Sequence, residues 1–133
     1  LGYKKIATGH HMDDVAETFL MRIRRASGPV GLAGIKEKSE VDGIRFVRPL
    51  LGCRDAELKA YLAKYGEQWR EDASNGDISI ERNKVRHVVM PFLEKNLDPD
   101  LVEHIWRITG YLAGSADAAA RPPGGRCLKK CAE

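Results

Sequence analysis

The sequence has no long hydrophobic run and few cysteines. No stretch approaches the roughly 18 to 20 apolar residues that a transmembrane helix needs. Cys53, Cys127 and Cys131 are too few and too unevenly spaced for a disulfide scaffold, so we expect reduced thiols and a cytoplasmic location. No signal-peptide pattern and no internal repeat are visible. The chain also has no strong excess of charge of one sign. Its formal net charge is +3, which permits an RNA partner without requiring one.

The most informative stretch is Gly-His-His-Met-Asp-Asp-Val-Ala-Glu-Thr, residues 9–18. It follows the apolar run Ile6-Ala7-Thr8, which predicts a strand buried on both faces. An amphipathic helix is predicted to begin near Asp13 or Asp14, and one stripe of it is apolar: Ala16, Phe19, Leu20 and Ile23. Histidines and carboxylates are therefore expected where a strand ends and a helix begins, which is where open α/β sheets bind ligands.

The remaining elements follow from turn residues and periodicity. They are, in order, a mobile glycine-rich loop at 28–34, an exposed charged segment at 36–43, a strand at 44–48, a helix from Arg54 to a left-handed cap at Gly66, a short strand at 68–70, a helix at 80–94 kinked by Pro91, and a helix capped by Asp98. The inward positions of the last two helices are predicted as Val85, Val88, Val89, Phe92, Leu101, Ile105, Ile108 and Leu112. Residues 116–133 have the composition of a flexible tail.

Asp14 and Glu17 allow two interpretations. Their spacing fits a capping box, in which Asp14 caps the helix and Glu17 reaches back to it. The residues alone favour the capping box, but carboxylates beside His10 and His11 also fit a magnesium or ATP environment, because hard divalent cations take oxygen ligands. Zinc is disfavoured, since adjacent histidines point in opposite directions on an extended backbone and no cysteine lies nearby.

Two arginine clusters also allow two interpretations. The first contains Arg22, Arg24 and Arg25, which would ordinarily form a solvated helix face. Arg25 shares its helix face with Asp14, so the alternative for it is an intrahelical or substrate contact. Arg82 and Arg86 are one helical turn apart, so they either snorkel and pair with nearby carboxylates or contact phosphate, whose oxygens match the guanidinium fork. Trp69 and Trp106 are predicted to lie in the core.

Four stretches resemble one known family. They are Gly9–Thr18, Arg25-Ala26-Ser27-Gly28 with Gly31-Leu32-Ala33-Gly34, Arg48-Pro49-Leu50-Leu51, and Glu71-Asp72-Ala73-Ser74-Asn75 followed by Arg82-Asn83-Lys84-Val85-Arg86 and Pro91-Phe92-Leu93-Glu94. Their order and spacing are similar to those of the tRNA(Ile)-lysidine synthases, within the PP-loop (N-type) ATP pyrophosphatase superfamily. Ala26 stands where that family usually has glycine. The family's Ser-Gly-Gly-x-Asp-Ser motif is absent, so we expect a fragment that begins after it and is inactive alone.

The resemblance implies an α/β fold with a partial Rossmann-like (adenine nucleotide alpha hydrolase-like) parallel sheet, flanking helices and a helical C-terminal extension. It implies a PP-loop domain part at 1–95, the extension at 96–115 and the tail at 116–133. The expected reaction joins free lysine to the wobble cytidine of an isoleucine tRNA, using ATP and Mg²⁺ and forming lysidine, AMP and pyrophosphate.

The resemblance also implies roles for individual residues. The catalytic set is Asp14, Arg82 and Arg86, and the ATP and magnesium set is His10, His11, Asp13, Asp14 and Glu17, with Asp14 and Glu17 as metal ligands. The tRNA set is Arg22, Arg25, Arg82, Asn83 and Arg86.

Two alternatives to this function stay open. A tRNA thiolase of the same superfamily often needs cysteines near its site, and only Cys53 lies within the matched region. A non-catalytic RNA-binding or assembly module is the other alternative. A homo-oligomer is expected, at least for the isolated fragment, because a truncated sheet exposes an unpaired edge and apolar surface.

Overall fold

The structure is a computed structural model that describes residues 4–69, 77 and 79–114. The elements are β1 (Lys5–Ala7), α1 (Met12–Arg24), α2 (Pro29–Leu32), β2 (Lys38–Val41), β3 (Ile44–Val47), α3 (Asp55–Lys64), α4 (Glu81–Lys84), a π-helical segment (Val85–Val89), α5 (Met90–Asn96) and α6 (Leu101–Leu112). The predicted α/β class is therefore confirmed. None of the helices in this part of the chain is long and apolar enough to cross a membrane.

The sheet has three strands in the order β1-β3-β2. β1 runs parallel to β3, whereas β2 pairs with β3 in an antiparallel hairpin. β2 lies within the charged segment at 36–43, which is largely exposed, as predicted. The turn residues of the hairpin, Asp42 and Gly43, have φ values of 51° and 75°. Positive φ at both central residues is what a type I′ turn requires, and Asp-Gly is a preferred pair for it.

β1 is exposed, and the prediction that it is buried on both faces is wrong for the described chain. Ile6 is 42% exposed. The physical reason is that β1 lies at the edge of the sheet and pairs with β3 alone. β1 nevertheless leads directly into the first turn of α1, as the apolar run and its glycine predicted.

The core lies among the helices. α1 packs against α6, and the buried apolar residues at this contact come from three helices: Met12, Ala16, Met90, Val102 and Ile105. Ile23, predicted on the inner stripe of α1, is 51% exposed near the end of that helix. α6 begins at Leu101 with Asp100 as its N-cap, and the Asp98 carboxylate instead accepts a hydrogen bond from the Asp100 N–H at 3.0 Å.

The helix over residues 81–96 changes register before Pro91. The Met90 N–H donates to the Val85 carbonyl, five residues back, which adds one residue to that turn. Because the extra residue rotates the rest of the helix, the predicted inward positions Val88 and Phe92 are 48% and 64% exposed. Asn83 and Met90 are buried instead.

Several smaller predictions are settled by the backbone. Gly66, at φ 70°, ends α3 in the left-handed region as expected. The glycine-rich loop contains the short helix α2, and residues 68 and 69 are not in a strand. Ile108 is 45% exposed, while Thr109 is buried in its place.

Cys53 is buried and disulfide-bonded, contrary to the expectation of reduced thiols. Outside the described residues lie Arg70, the motif residues 71–75, Cys127, Cys131 and the rest of the predicted tail.

Candidate functional site

The first turn of α1 is capped by His11 and Asp14. His11 is the N-cap residue, and its backbone N–H donates to Oδ2 of Asp14 at 2.9 Å. A capping box is therefore present, but it lies three residues earlier than predicted, with Asp14 as the residue that reaches back. Glu17 takes no part in it, and its carboxylate instead interacts across the helix interface.

Asp14 and Glu17 meet Arg82 and Arg86 in what we call the carboxylate–arginine cluster. Arg82 donates to Oδ1 of Asp14 and to Oε2 of Glu17, each at 2.8 Å. Arg86 donates to Oε1 of Glu17 at 2.6 Å and to Oδ1 of Asp14 at 3.1 Å. Each guanidinium thus spans both carboxylates, and charge-assisted pairs held by two hydrogen bonds are among the strongest in proteins. The sequence-predicted residues of α1 and of the later helix are brought together.

The cluster is buried on its acidic side and open on its basic side. The side chain of Glu17 is only 2% exposed, whereas those of Arg82 and Arg86 are 38% and 32% exposed. The hydrogen bond to Glu17 raises the pKa of Arg86, and the charge of Asp14 adds to the effect. Two buried carboxylates therefore hold two guanidinium groups in fixed positions at the surface, where an anionic group could reach them.

The cluster does not fit the magnesium site predicted at Asp14 and Glu17. Both oxygens of Glu17 and Oδ1 of Asp14 accept bonds from guanidinium groups, and Oδ2 of Asp14 accepts the His11 N–H. A divalent cation here would lie beside two guanidinium charges and would compete with them for every carboxylate oxygen. Among the described residues, no group of three or more His, Cys, Asp or Glu side chains could hold a metal ion.

Asp13 belongs to a second network that was not predicted from the sequence. Its Oδ2 accepts the backbone N–H of Asp55 at 2.7 Å, at the start of α3, and its Oδ1 accepts Nε of Arg54 at 3.0 Å. Arg54 also donates to Glu94 at 2.9 Å and to Glu103 at 2.8 Å. Asp13, which was predicted to bind ATP or magnesium, therefore helps to hold the helices together.

These contacts change the pKa of Asp13. Burial alone would raise it, but the nearby His11 ring, the Asp55 N–H and the Arg54 charge lower the pKa from 3.8 to about 2. Burial likewise opposes the positive charge of His11, yet the neighbouring Asp13 and Asp14 carboxylates outweigh burial and raise the His11 pKa above 6.5. The imidazole lies 3.5 Å from Asp13 and 3.4 Å from Asp14.

The low pKa of Asp13 predicts an acid-dependent loss of stability. A carboxyl group with a folded pKa of about 2 and an unfolded pKa of 3.8 stabilises the fold above pH 4, by about 2 kcal/mol. This contribution is lost as the pH falls from about 4 to below 2. Urea unfolding at pH 5, 3 and 2 measures it, and Asp13→Asn should flatten the curve over that window. An equally steep curve in the variant would contradict the assignment.

A cavity of about 420 Å³ lies beside the two networks. Its walls come from α1, α3, the π-helical segment, α5 and α6, and they combine charged, imidazole and apolar groups: His11, Asp13, Glu17, Asp55, Lys59, Trp69, Arg86, His87, Met90, Glu94 and Val102. Trp69, predicted to lie in the core, is 43% exposed and forms part of this wall. Cavities of this size hold small organic ligands.

The other predicted site residues have local contacts. His10 lies 2.9 Å from the Thr8 hydroxyl. The Asn83 amide donates to the Asp77 carbonyl at 3.0 Å, and Arg22 donates to the Gly31 carbonyl, which holds the segment after α1. Arg25 is exposed and lies 3.6 Å from Glu81. The cluster thus contains four of the predicted site residues, Asp14, Glu17, Arg82 and Arg86.

Comparison with known proteins gives one family and many relatives. A family model described as "PP-loop domain" matches residues 1–93. A tRNA(Ile)-lysidine synthase of Rhodopirellula baltica is 46% identical over 107 residues, which is 80% of this chain and 27% of the relative. An enzyme of the same name from Shigella flexneri is 43% identical over 68% of this chain and 21% of the relative. Another, from Geobacter sulfurreducens, is 38% identical over 84% of this chain and 23% of the relative. The chain spans about a quarter of the length of these relatives.

Proposed function

The chain belongs to the PP-loop domain family, and from this premise we propose that it forms part of the active site of an ATP-dependent ligase that joins lysine to a tRNA cytidine. The support comes from relatives that carry the name tRNA(Ile)-lysidine synthase. The observation that carries the proposal is the carboxylate–arginine cluster beside the cavity, because it joins residues from two separate family motifs in one place.

The proposed reaction has two steps. ATP transfers its adenylyl group to the C2 oxygen of the wobble cytidine of an isoleucine tRNA, which releases pyrophosphate. The amino group of free lysine then attacks C2 and displaces AMP, giving lysidine. The cytidine must leave the base stack to react, because C2 is inaccessible within it.

We assign the cluster to charge stabilisation in the adenylyl transfer. Arg82 and Arg86 are the proposed catalytic cations, and their exposed forks match phosphate oxygens. Asp14 and Glu17 hold both guanidinium groups in place before substrate arrives, so that little reorganisation is needed in the transition state. His11, whose pKa is raised, is proposed to donate a hydrogen bond to a phosphate or base at the cavity wall.

The residues predicted to bind tRNA fall into two groups, those that are exposed and those that already bind a backbone carbonyl. Arg25 is exposed, and the cluster arginines are partly exposed, so these three are proposed to contact the tRNA backbone. Arg22 and Asn83 bind backbone carbonyls, so we propose that they support the contacting segments. His10 is proposed to line the ATP site. Mg²⁺ is proposed to arrive with ATP, without Asp14 and Glu17 as its ligands.

Three further proposals concern organisation. The division into a PP-loop part at 1–95, a helical extension at 96–115 and a tail at 116–133 is proposed from the motifs. Self-association is proposed because, among the residues that the structure describes, one edge of β1 has no partner strand and Ile6 is exposed. Light scattering of the purified chain tests it. A cytoplasmic location is proposed from the tRNA substrate.

A segment exchange tests the function. The matched residues of this chain replace the aligned 90 residues of the Shigella flexneri relative, and the hybrid is incubated with isoleucine tRNA, ATP, Mg²⁺ and lysine. We expect lysidine in the tRNA by nucleoside mass spectrometry, with none when ATP is omitted. We also expect no pyrophosphate release from the 133-residue chain alone, because its sequence has no Ser-Gly-Gly-x-Asp-Ser stretch. A folded hybrid that forms no lysidine would contradict the proposal.

A further inference from the structure

Arg54 contacts three carboxylates that come from three different helices. Nε binds Asp13 of α1, Nη2 binds Glu94 of α5, and Nη1 binds Glu103 of α6, at 3.0, 2.9 and 2.8 Å. All five N–H groups of a guanidinium lie in one plane, so a set of three such partners fixes the relative positions of the groups that bind it. Lysine could not reproduce this, because its ammonium is a single point charge.

Arg54 acts from behind the cavity. It is not among the residues that line the cavity, whereas its partners Asp13 and Glu94 are. Its side chain is 24% exposed, and burial, which lowers its pKa, is outweighed by the three carboxylates, which raise it. Arg54 can therefore influence the cavity only through its partners Asp13 and Glu94, which line it.

The Arg54 segment also fixes the first turn of α1 through its backbone. The Met12 N–H donates to the Cys53 carbonyl at 2.8 Å, and the Asp55 N–H donates to Asp13 at 2.7 Å. Asp13 and Asp14 are consecutive, yet one joins the Arg54 network and the other joins the carboxylate–arginine cluster. The first turn of α1 is thus held from two sides, with the His11 ring near both carboxylates.

We propose that Arg54 is a positioning residue, which sets the first turn of α1 so that His11 and Asp14 face the Arg82 and Arg86 pair. Its effect on turnover rests on the proposed function, whereas its effect on His11 does not. Loss of the Arg54 fork should leave substrate binding largely unchanged and impair the chemical step, because a small displacement of catalytic groups affects the transition state most.

The test uses Arg54→Lys, which keeps a positive charge, with Arg45→Lys as a matched control. Arg45 is an exposed strand residue whose ion pair with Glu40 is 4.0 Å long. In the lysidine-forming hybrid, we expect Arg54→Lys to lower kcat about 10-fold with the KM for ATP changed less than about twofold, and Arg45→Lys to change neither. A kcat within twofold of the parent would overturn the proposal.

A second measurement separates this inference from the proposed function. NMR titration of the His11 ring in the 133-residue chain reports on the turn directly. We expect the His11 pKa to rise in Arg54→Lys, because Asp13, whose carboxylate lies 3.5 Å from the His11 ring, loses part of its neutralising partner. An unchanged His11 titration in a folded variant would overturn the positioning role. A hybrid without lysidine activity, together with a shifted His11, would overturn the proposed function and leave this inference standing.

Discussion

Asp14→Asn in the lysidine-forming hybrid is expected to lower kcat by about 100-fold or more. Oδ1 of Asp14 accepts hydrogen bonds from Arg82 and Arg86, and the neutral amide would orient both guanidinium groups less firmly. Loss of one preorganised electrostatic group in a transition state commonly costs about 10²- to 10³-fold in rate. Single-turnover formation of the adenylated tRNA measures the affected step without the complication of product release.

Asp42→Asn is the matched control for this substitution. Asp42 occupies the exposed β-hairpin turn at φ 51°, a conformation that asparagine also tolerates, so the same chemical change there should leave the rate unchanged. The unfolding free energy of Asp14→Asn is measured in parallel, and we expect it to fall by about 1 to 2 kcal/mol. A folded Asp14→Asn hybrid with a rate within about threefold of the parent would show that Asp14 has no catalytic role.

Glu17→Gln is expected to destabilise the chain by about 3 kcal/mol. Glu17 is buried and accepts hydrogen bonds from both cluster arginines, so neutralising it leaves two guanidinium charges with Asp14 as their one remaining anionic partner among the described residues. Removing one partner of a buried ion pair typically costs about 3 to 5 kcal/mol, and the lower end applies here because the arginines are about one-third exposed. Thermal unfolding should show a Tm lower by more than about 10 °C.

Glu81→Gln supplies the comparison at an exposed ion pair. Glu81 lies 2.6 Å from Arg24, and the two side chains are 37% and 67% exposed. Exposed pairs contribute about 0 to 1 kcal/mol, so this variant should unfold within a few degrees of the parent. Equal losses in the two variants would mean that the carboxylate–arginine cluster does not stabilise the fold beyond an ordinary surface pair.

Local sequence patterns predicted those parts of the fold that depend on local chemistry. The strand that leads into the histidine and aspartate stretch, the helix after it, and the left-handed Gly66 are confirmed. The resemblance to the PP-loop family, drawn from motif order and spacing, is confirmed by the match over residues 1–93. The β2–β3 hairpin was missed although its Asp42-Gly43 pair is a readable turn signal.

The features that the sequence did not predict depend on contacts between residues far apart in the chain, or on an interruption of the α-helical period. Arg54 meets partners 40, 41 and 49 positions away in the chain, and no spacing rule connects them. The inward residues of the helix at 81–96 were predicted with a constant 3.6-residue period, which the turn before Pro91 interrupts. The resemblance placed Asp13 and Asp14 together in the ATP and magnesium set, whereas in the structure the two carboxylates bind different partners.

The π-helical segment has a consequence for how this chain tolerates changes in length. Arg82 comes before the turn that the Met90-to-Val85 hydrogen bond closes, and Glu94 comes after it. This one widened turn therefore sets the angle about the helix axis between the two ion networks. A deletion of one residue that restores an ordinary α-helical turn there would leave Glu94 at nearly its present angle to Arg82, whereas an ordinary turn with the full residue count would swing Glu94 by about 100°. Residue count and turn type must therefore change together at this point in the chain if both ion networks are to be kept.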